Sequence, residues 1–188
     1  MLHEVSQWLY RTVRLWMLLL ALLVFAYFVA MVLPAEAVRS QSVIGSLPSP
    51  DTSLLYSAGD LYSMAREYGA EGRAYYVRAR YTFDVVWPLA YAAFLVTSLT
   101  VVYGRLYVPR VFYLINVLPL AAADFDFLEN IAAGWFMHRY PLDSPVLAAV
   151  APVATLSKWL LIALSFLALI VGVIMLAIPG FRRSAREG

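Results

Sequence analysis

Four long apolar stretches, separated by more polar segments, dominate the pattern of the chain. Two of them run from Leu15 to Ala35 and from Val85 to Tyr103. The other two run from Val111 to Ile131 and from Val146 to Ile178. About 20 apolar residues can cross a bilayer as a helix. The pattern therefore predicts an all-α fold with four membrane-spanning helices, over about residues 13–35, 82–104, 109–133 and 146–179.

The fourth stretch is longer than one crossing requires. Its 33 residues would form a helix about 50 Å long, against a hydrocarbon core of ~30 Å. We expect an interfacial piece to end at Pro152, so that Lys158–Ile178 forms the crossing.

The first stretch allows a second interpretation. Residues 33–37 (LPAEA) follow a basic segment with Arg11 and Arg14 and resemble the cleavage site of a signal peptide. The apolar run is longer than that of a usual signal peptide, which favours an uncleaved membrane helix.

Composition supports a membrane protein. Hydrophobic residues make up 63% of the 188 residues and charged residues 14%, against about 25% charged in a typical soluble domain. A mean hydropathy of +0.74 excludes a small soluble domain and a disordered chain. The net charge of +2 gives no indication of nucleic acid binding, and the lack of cysteine removes disulfides and thiolate chemistry. We expect residues 1–188 to form a single membrane domain surrounded by lipids.

The basic residues beside the spans predict the orientation. One set of flanking segments carries seven arginines against two acids (Arg11, Arg14, Arg105, Arg110, Arg182, Arg183 and Arg186, with Glu4 and Glu187), whereas the opposite set carries six of each. Short cytoplasmic loops are enriched in basic residues. The sequence therefore predicts a multi-pass protein of the cell membrane with both termini in the cytoplasm.

Residues 37–81 form the predicted extracytoplasmic insert between the first two spans. Loop-forming residues over 37–50 indicate a flexible entry, and Asp51 is expected to cap a helix that ends near Gly69. A second helix then begins near Ala70 and continues into the second span. The density of aromatic residues favours this helical hairpin over a disordered loop. The expected architecture is a four-helix bundle with a hairpin insert.

Polar residues of three spans are predicted to meet at one depth. The segments Asp84–Gly104, Arg110–Asn130 and Lys158–Ile178 each cover 20 steps, or about 30 Å of helix. Asp84, Asn130 and Lys158 would therefore all reach the outer hydrocarbon boundary. Ionisable groups inside a membrane are costly and usually face partners within the protein. We expect them to form one polar cluster.

The spacing of the polar residues selects candidates for this cluster. Asp126, Glu129 and Asn130 share one face of the third span, because they are three and four residues apart. The predicted ligand-binding residues are Arg73, Tyr76, Arg80, Asp84, Tyr91, Asp126, Glu129, Asn130 and Lys158.

Such a cluster can serve different purposes. It can be a structural ion-pair network that fixes the register of the helices. It can be a catalytic site, with Asp126, Glu129 and Asp84 as candidate acids or bases. It can also hold a hard cation or line a conducting path. Since Arg80 and Lys158 would compete with a cation, we expect no metal and no cofactor.

Four motifs resemble those of a known group of proteins. They are Gly72-Arg73-x-x-Tyr76, Asp84-x-x-x-Pro88-x-x-Tyr91, Asp126-x-x-Glu129-Asn130 and Thr155-x-x-Lys158-Trp159. Together they are similar to a family of small, uncharacterised four-span membrane proteins, mostly bacterial. The resemblance implies four helices with a helical insert, and it implies no named reaction.

The sequence is compatible with two functions. The leading hypothesis is a binding or structural module with an outer-leaflet polar pocket for a lipid headgroup or a small membrane-soluble ligand. The alternative is an intramembrane enzyme that acts on a lipid or isoprenoid through carboxylate acid–base chemistry. The enzyme hypothesis predicts a dead-end pocket open to the outer leaflet and a carboxylate without a close cationic partner. The expected partners are membrane lipids, with a second copy or another membrane protein left open and nucleic acid excluded.

Overall fold

A computed structural model of the chain describes residues 1–181, and every regular element in that range is helical. The α-helices are α1 (Leu2–Thr12), α2 (Leu15–Tyr27), α3 (Leu33–Ile44), α4 (Ala58–Glu67), α5 (Gly69–Arg80), α6 (Phe83–Tyr103), α7 (Leu118–Arg139) and α8 (Pro145–Ala177). A π-helical segment, Phe28–Val32, joins α2 to α3, and the 3₁₀ segments are Pro50–Thr52, Arg110–Val117 and Pro179–Phe181. The C-terminal arginines of the orientation prediction, Arg182, Arg183 and Arg186, lie outside the described residues.

Four helical stretches within residues 1–181 are long and apolar enough to cross a membrane. They are Leu15–Ile44, Gly69–Tyr103, Arg110–Arg139 and Pro145–Ala177. The prediction of an all-helical chain with four candidate spans is thus confirmed at this level. Many of their leucine, valine and isoleucine side chains are exposed, for example Leu23 at 68% and Ile174 at 57%. Such surfaces suit a lipid environment.

The predicted flexible entry over residues 37–50 is wrong for its first part. Helix α3 continues to Ile44 and ends at Gly45, which has a φ of 66°. The serines do not break the helix, since the Ser42 hydroxyl donates a hydrogen bond to the Arg39 carbonyl, 2.7 Å away. Helix α3 ends because Gly45 has a positive φ, a conformation that glycine adopts easily.

Two other local predictions need correction. Helix α8 is continuous from Pro145 to Ala177 and does not break at Pro152. Ser57, rather than Asp51, caps α4: its side chain accepts a hydrogen bond from the Asp60 amide, and the Asp60 carboxylate accepts one from the Ser57 amide. This reciprocal capping box satisfies two backbone donors that a helix start leaves free.

The described chain contains two compact units. The first comprises Met1–Phe25, Ala90–Ala122 and the chain from Leu160 onward. Its core contains buried Leu99, Val102, Tyr103 and Leu106, with Ala168 and Leu169 packed against them. The Tyr103 hydroxyl donates a hydrogen bond to the Ala168 carbonyl over 2.9 Å. This bond ties α6 to α8 within the unit.

The second unit comprises Ala26–Leu89 and Ala123–Trp159. Its core consists of residues from α3, α4, α5, α7 and the first part of α8, including Leu61, Tyr76, Phe136 and Ala151. Tyr62 of α4 packs edge-on against Phe136 at 4.8 Å between ring centroids. The charged side chains in the interior of this unit form the candidate site.

Candidate functional site

Lys158 of α8 forms one half of a buried ion network in the second unit. Its ammonium lies 2.6 Å from Glu129 Oε2 and 3.4 Å from Asp126 Oδ1. The two carboxylates project from one face of α7 because they are three residues apart. All three side chains are at most 6% exposed. One cation therefore compensates two carboxylates that water barely reaches.

Arg80, the last residue of α5, forms the other half. One of its nitrogens, NH2, lies 2.7 Å from Asp84 Oδ2 and 3.3 Å from Asp51 Oδ2. The guanidinium also lies over the Tyr76 ring, 4.6 Å from its centroid. A planar guanidinium suits this arrangement, because it can donate several hydrogen bonds while its face stacks on a ring.

Asn130 connects the two halves. Its Nδ2 donates to the Asp84 carbonyl over 2.8 Å and to Asp126 Oδ1 over 3.4 Å. Its Oδ1 accepts from Arg80 NH1 over 3.4 Å. The structure thus brings together six of the predicted residues, namely Arg80, Asp84, Asp126, Glu129, Asn130 and Lys158. Their role as a ligand site stays a prediction.

Asp51 belongs to the network although sequence reasoning assigned it to a helix cap. It lies in the 3₁₀ segment Pro50–Thr52, where Ser49 donates a hydrogen bond to its carboxylate. Burial raises the pKa of Asp51, but the charges of Arg80 and Lys158 and the Ser49 hydrogen bond hold it below its ordinary value. A signal for this residue does exist: Asp51 is the only charged residue between Arg39 and Asp60.

The segment around Asp51 is fixed by side chains from other elements. Trp159 Nε1 donates to the Asp51 carbonyl over 3.0 Å. Tyr68 donates to the Pro48 carbonyl over 2.7 Å, and Tyr56 lies within hydrogen-bonding distance of Thr155, 3.0 Å away. Burial raises the pKa of the Tyr68 hydroxyl to about 12, so it remains a donor at neutral pH. Asp51 is therefore held in place beside Arg80.

The network contains more acids than bases. Four carboxylates (Asp51, Asp84, Asp126 and Glu129) are paired with Arg80 and Lys158, each at 3.4 Å or less from one of them. The carboxylate without a cationic partner that the enzyme hypothesis predicts is not among these four. Glu129 Oε1, Arg80 Nε and the Tyr76 hydroxyl are nevertheless buried without a hydrogen-bond partner.

A cavity of about 430 Å³ adjoins the Arg80 half of the network. It lies between α3, the segment from Gly45 to Thr52, and α5, and both Arg80 and Asp51 line it. On its wall the Tyr75 hydroxyl donates to Glu36 Oε1 over 2.6 Å. The residues that line this cavity do not include Asp84, Asp126, Glu129, Asn130 or Lys158.

One predicted site residue, Arg73, has other surroundings. Arg73 donates to the Ala65 carbonyl over 2.7 Å and lies over the Tyr140 ring, 4.8 Å from its centroid. Tyr140 comes from the turn after α7. The spacing of Arg73, Tyr76 and Arg80 along the sequence does not reveal this contact. Arg73 is thus occupied outside the ion network. Tyr91 is buried at 2% exposure and belongs to the first unit.

The carboxylates do not form a metal cage. Within residues 1–181, no group of three or more His, Cys, Asp or Glu side chains has an arrangement that could hold a metal ion. The cations paired with these acids are Arg80 and Lys158.

Comparison of the chain with protein-family models, curated proteins and solved structures gives no match. No reaction, ligand or catalytic residue can therefore be carried over from a relative.

Proposed function

We propose that the chain is a membrane-embedded binding module whose second unit holds a small amphiphilic ligand in the cavity beside Arg80. One observation supports this proposal most: Arg80 and Asp51 belong to the buried ion network and also line the cavity of about 430 Å³. Ligand sites in proteins commonly have volumes of about 300–1,000 Å³. The network would act as a rigid wall of the pocket.

The lining favours a ligand with both an apolar and a polar part. Leu33, Ile44 and Phe83 supply apolar surface, whereas Gln41 and Glu36 supply polar groups. Helix α3 ends the first candidate span at Ile44, and α5 begins the second at Gly69. A ligand there would lie near the ends of two spans, where lipid headgroups are found. A lipid headgroup or a small membrane-soluble molecule fits this position.

The proposal includes a structural role for the network. Removal of one member of a buried ion pair costs about 3–5 kcal/mol, because a charge is left without its partner. Six charged side chains joined through Asn130 therefore disfavour shifts in helix register. This role suits the proposed four-helix bundle with an extracytoplasmic hairpin and cytoplasmic termini.

The experiment that tests the pocket uses two neighbouring tryptophan substitutions on α3. Ser40 lines the cavity, whereas Val38 is 67% exposed and does not. Ser40→Trp should fill the cavity and lower the amount of lipid or small molecule that copurifies, as measured by native mass spectrometry and lipid extraction. Val38→Trp is the matched control and should retain the ligand.

If Ser40→Trp and Val38→Trp carry the same copurified molecules in the same amounts, the pocket proposal is wrong. Absence of any copurified molecule from the wild-type protein in several mild detergents would contradict it as well.

An intramembrane enzyme is the second candidate. It is favoured by the excess of carboxylates over cations and by Glu129 Oε1, which is buried without a hydrogen-bond partner. We rank it lower because Asp84, Asp126 and Glu129 do not line the cavity. If the protein is such an enzyme, incubation of the purified protein with membrane lipids should yield a new lipid product, and the Glu129→Gln variant should not yield this product. No new product from the wild-type protein would remove this candidate.

A further inference from the structure

A second cavity, of about 680 Å³, lies in the first unit and has no part in the proposed function. Residues of α1 form one side of it, and Gly104, Arg110 and Tyr113 form the other. All of them belong to the first unit, so the cavity is complete within it. Its size suits the headgroup of a phospholipid, because it lies within the range of about 300–1,000 Å³ that is usual for ligand pockets.

The lining of this basic cavity is positively charged. Arg11 and Arg110 are its only charged side chains, and His3 and Gln7 add groups that can donate hydrogen bonds. Within residues 1–181, the side chain of neither arginine forms an ion pair or a hydrogen bond with another residue. Glu4, the acidic residue of α1, pairs instead with the N-terminal amine, 3.0 Å away. Two arginines therefore line one cavity, and no acid of residues 1–181 is paired with either of them.

The walls of the basic cavity are held in place by polar contacts that are buried or partly buried. Ser6 Oγ donates to the Tyr113 carbonyl over 2.8 Å, and the Tyr10 hydroxyl donates to the same carbonyl over 3.3 Å. Fully buried Asn116 donates to Thr100 Oγ1 over 3.2 Å and to the Ser6 carbonyl over 3.5 Å. These bonds fix α1 against the 3₁₀ segment Arg110–Val117. The cavity is therefore preformed.

The sequence positions of the lining place the basic cavity at headgroup depth. Arg11 precedes the first candidate span, which begins at Leu15, and Gly104 directly follows the second, which ends at Tyr103. Arg110 is the first residue of the third candidate span. Phosphate groups of lipids lie at this level of a bilayer, just outside the hydrocarbon core.

We infer that the basic cavity binds a phosphate group, and that its source is the headgroup of an anionic phospholipid. Guanidinium groups bind phosphate through paired, charge-assisted hydrogen bonds. Three features favour a negatively charged lipid over a zwitterionic one: the two arginines, the lack of an acid paired with them among residues 1–181, and the headgroup depth. This inference is independent of the pocket in the second unit.

The test uses the delipidated full-length protein in a neutral detergent. Phosphatidylglycerol, phosphatidylcholine and inorganic phosphate are added in separate experiments, and bound lipid is counted by native mass spectrometry. Phosphate binding is followed as a rise in melting temperature. The double variant Arg11→Gln/Arg110→Gln is compared with Arg105→Gln, which removes a charge near the same span end but does not line the cavity.

The wild-type protein should bind phosphatidylglycerol more tightly than phosphatidylcholine. The double variant should weaken phosphatidylglycerol binding about tenfold or more, because each basic residue near a lipid surface contributes about 1 kcal/mol. Arg105→Gln should change it much less. Added salt should weaken binding to the wild-type protein more than binding to the double variant.

Equal binding of the two lipids, or equal losses in the double variant and in Arg105→Gln, would overturn the inference. Stabilisation by inorganic phosphate with no preference between the lipids would overturn the lipid source and leave a free phosphate as the ligand. Both arginines are exposed, so the double variant should fold. If its melting temperature drops, the single variants Arg11→Gln and Arg110→Gln decide the question by the same criteria.

Discussion

Arg80 takes part in both features of the second unit, the ion network and the cavity. Its NH2 contacts Asp84 and Asp51, its NH1 donates a hydrogen bond to Asn130 Oδ1, and its guanidinium stacks on Tyr76. A guanidinium has five N–H donors in one plane, whereas an ammonium is a compact point charge. The contacts of this residue therefore depend on its being arginine.

Arg80→Lys keeps the charge and should still destabilise the protein. A lysine at this position cannot contact both carboxylates and Asn130 while covering the Tyr76 ring, so buried partners are left unsatisfied. We expect a loss of about 1–3 kcal/mol, measured as a lower melting temperature in detergent. Arg39→Lys, where the side chain is 74% exposed, is the control and should melt like the wild type. Equal melting of both variants would contradict the role given to Arg80.

Asp51 gives a prediction about acid stability. Its pKa in the folded protein is held below its ordinary value by Arg80 and Lys158, so its charged form stabilises the fold. That contribution is complete above the unfolded-state pKa of about 3.9 and is lost as the pH falls through the lower, folded-state pKa.

Asp51→Asn should therefore melt below the wild type at pH 7. The difference between the two melting temperatures should stay nearly constant down to about pH 4 and shrink below it. Melting curves over pH 3–7 in one detergent measure this. A difference that is already lost between pH 7 and pH 5 would show that Asp51 does not have a lowered pKa.

At the scale of secondary-structure elements, the spans and the polar positions within them could be predicted from the sequence. Long apolar runs and the regular rise of a helix are local properties, so they placed Asp84, Asn130 and Lys158 at a common depth. The three- and four-residue spacing likewise put Asp126, Glu129 and Asn130 on one face. These arguments need no knowledge of which helices are neighbours.

Residues 37–57 could not be predicted in the same way. The serines of α3 are typical of loops, and their tolerance depends on hydrogen bonds back to the helix, as Ser42 shows. Asp51 forms an ion pair with Arg80 and accepts a hydrogen bond from Trp159 at its carbonyl. These partners are 29 and 108 positions away in the chain. Spacing along the sequence does not reveal such contacts. The Ser57–Asp60 capping box, in contrast, is a local signal that sequence reasoning missed.

A glycine determines how closely α8 approaches α6 in the first unit. A Cβ atom at Gly172 would lie 2.7 Å from Val102 Cγ1 and 2.8 Å from Tyr103 Cε2. The Tyr103 ring cannot easily move, because its hydroxyl donates to the Ala168 carbonyl. The absence of a side chain at this position therefore allows the two helices to pack.

Gly172→Ala should destabilise the protein by about 1–3 kcal/mol through overpacking, although alanine favours a helix more than glycine does. Gly180→Ala is the matched control, since a Cβ there meets no atom within 4 Å. Melting temperatures of both variants in the same detergent check this. A stabilised Gly172→Ala would show that helix propensity outweighs the contact.

At the scale of the whole molecule, the distribution of arginines predicts the orientation in the membrane. The segment with Leu55 should face the exterior, and the turn with Tyr107 should face the cytoplasm. The chain has no cysteine, so a single introduced cysteine is labelled without background. Leu55 and Tyr107 are 81% and 73% exposed and are suitable positions.

Leu55→Cys should react with a membrane-impermeant maleimide in intact cells. Tyr107→Cys should react only after the membrane is opened. The reverse result would invert the predicted topology, whereas labelling of both positions in intact cells would argue against a spanning arrangement of the helices between them.

The central claim is that buried charges from separate segments act as one coupled network, and a double-mutant cycle between Lys158 and Glu129 tests it most directly. Lys158→Met alone should cost about 3–5 kcal/mol, and Glu129→Gln in the same chain should restore part of the loss. The account predicts a coupling energy of about 1–3 kcal/mol, measured by unfolding in detergent. The distant pair Lys158→Met and Arg39→Gln should be additive within about 0.5 kcal/mol. Additivity of Lys158→Met with Glu129→Gln would contradict the account.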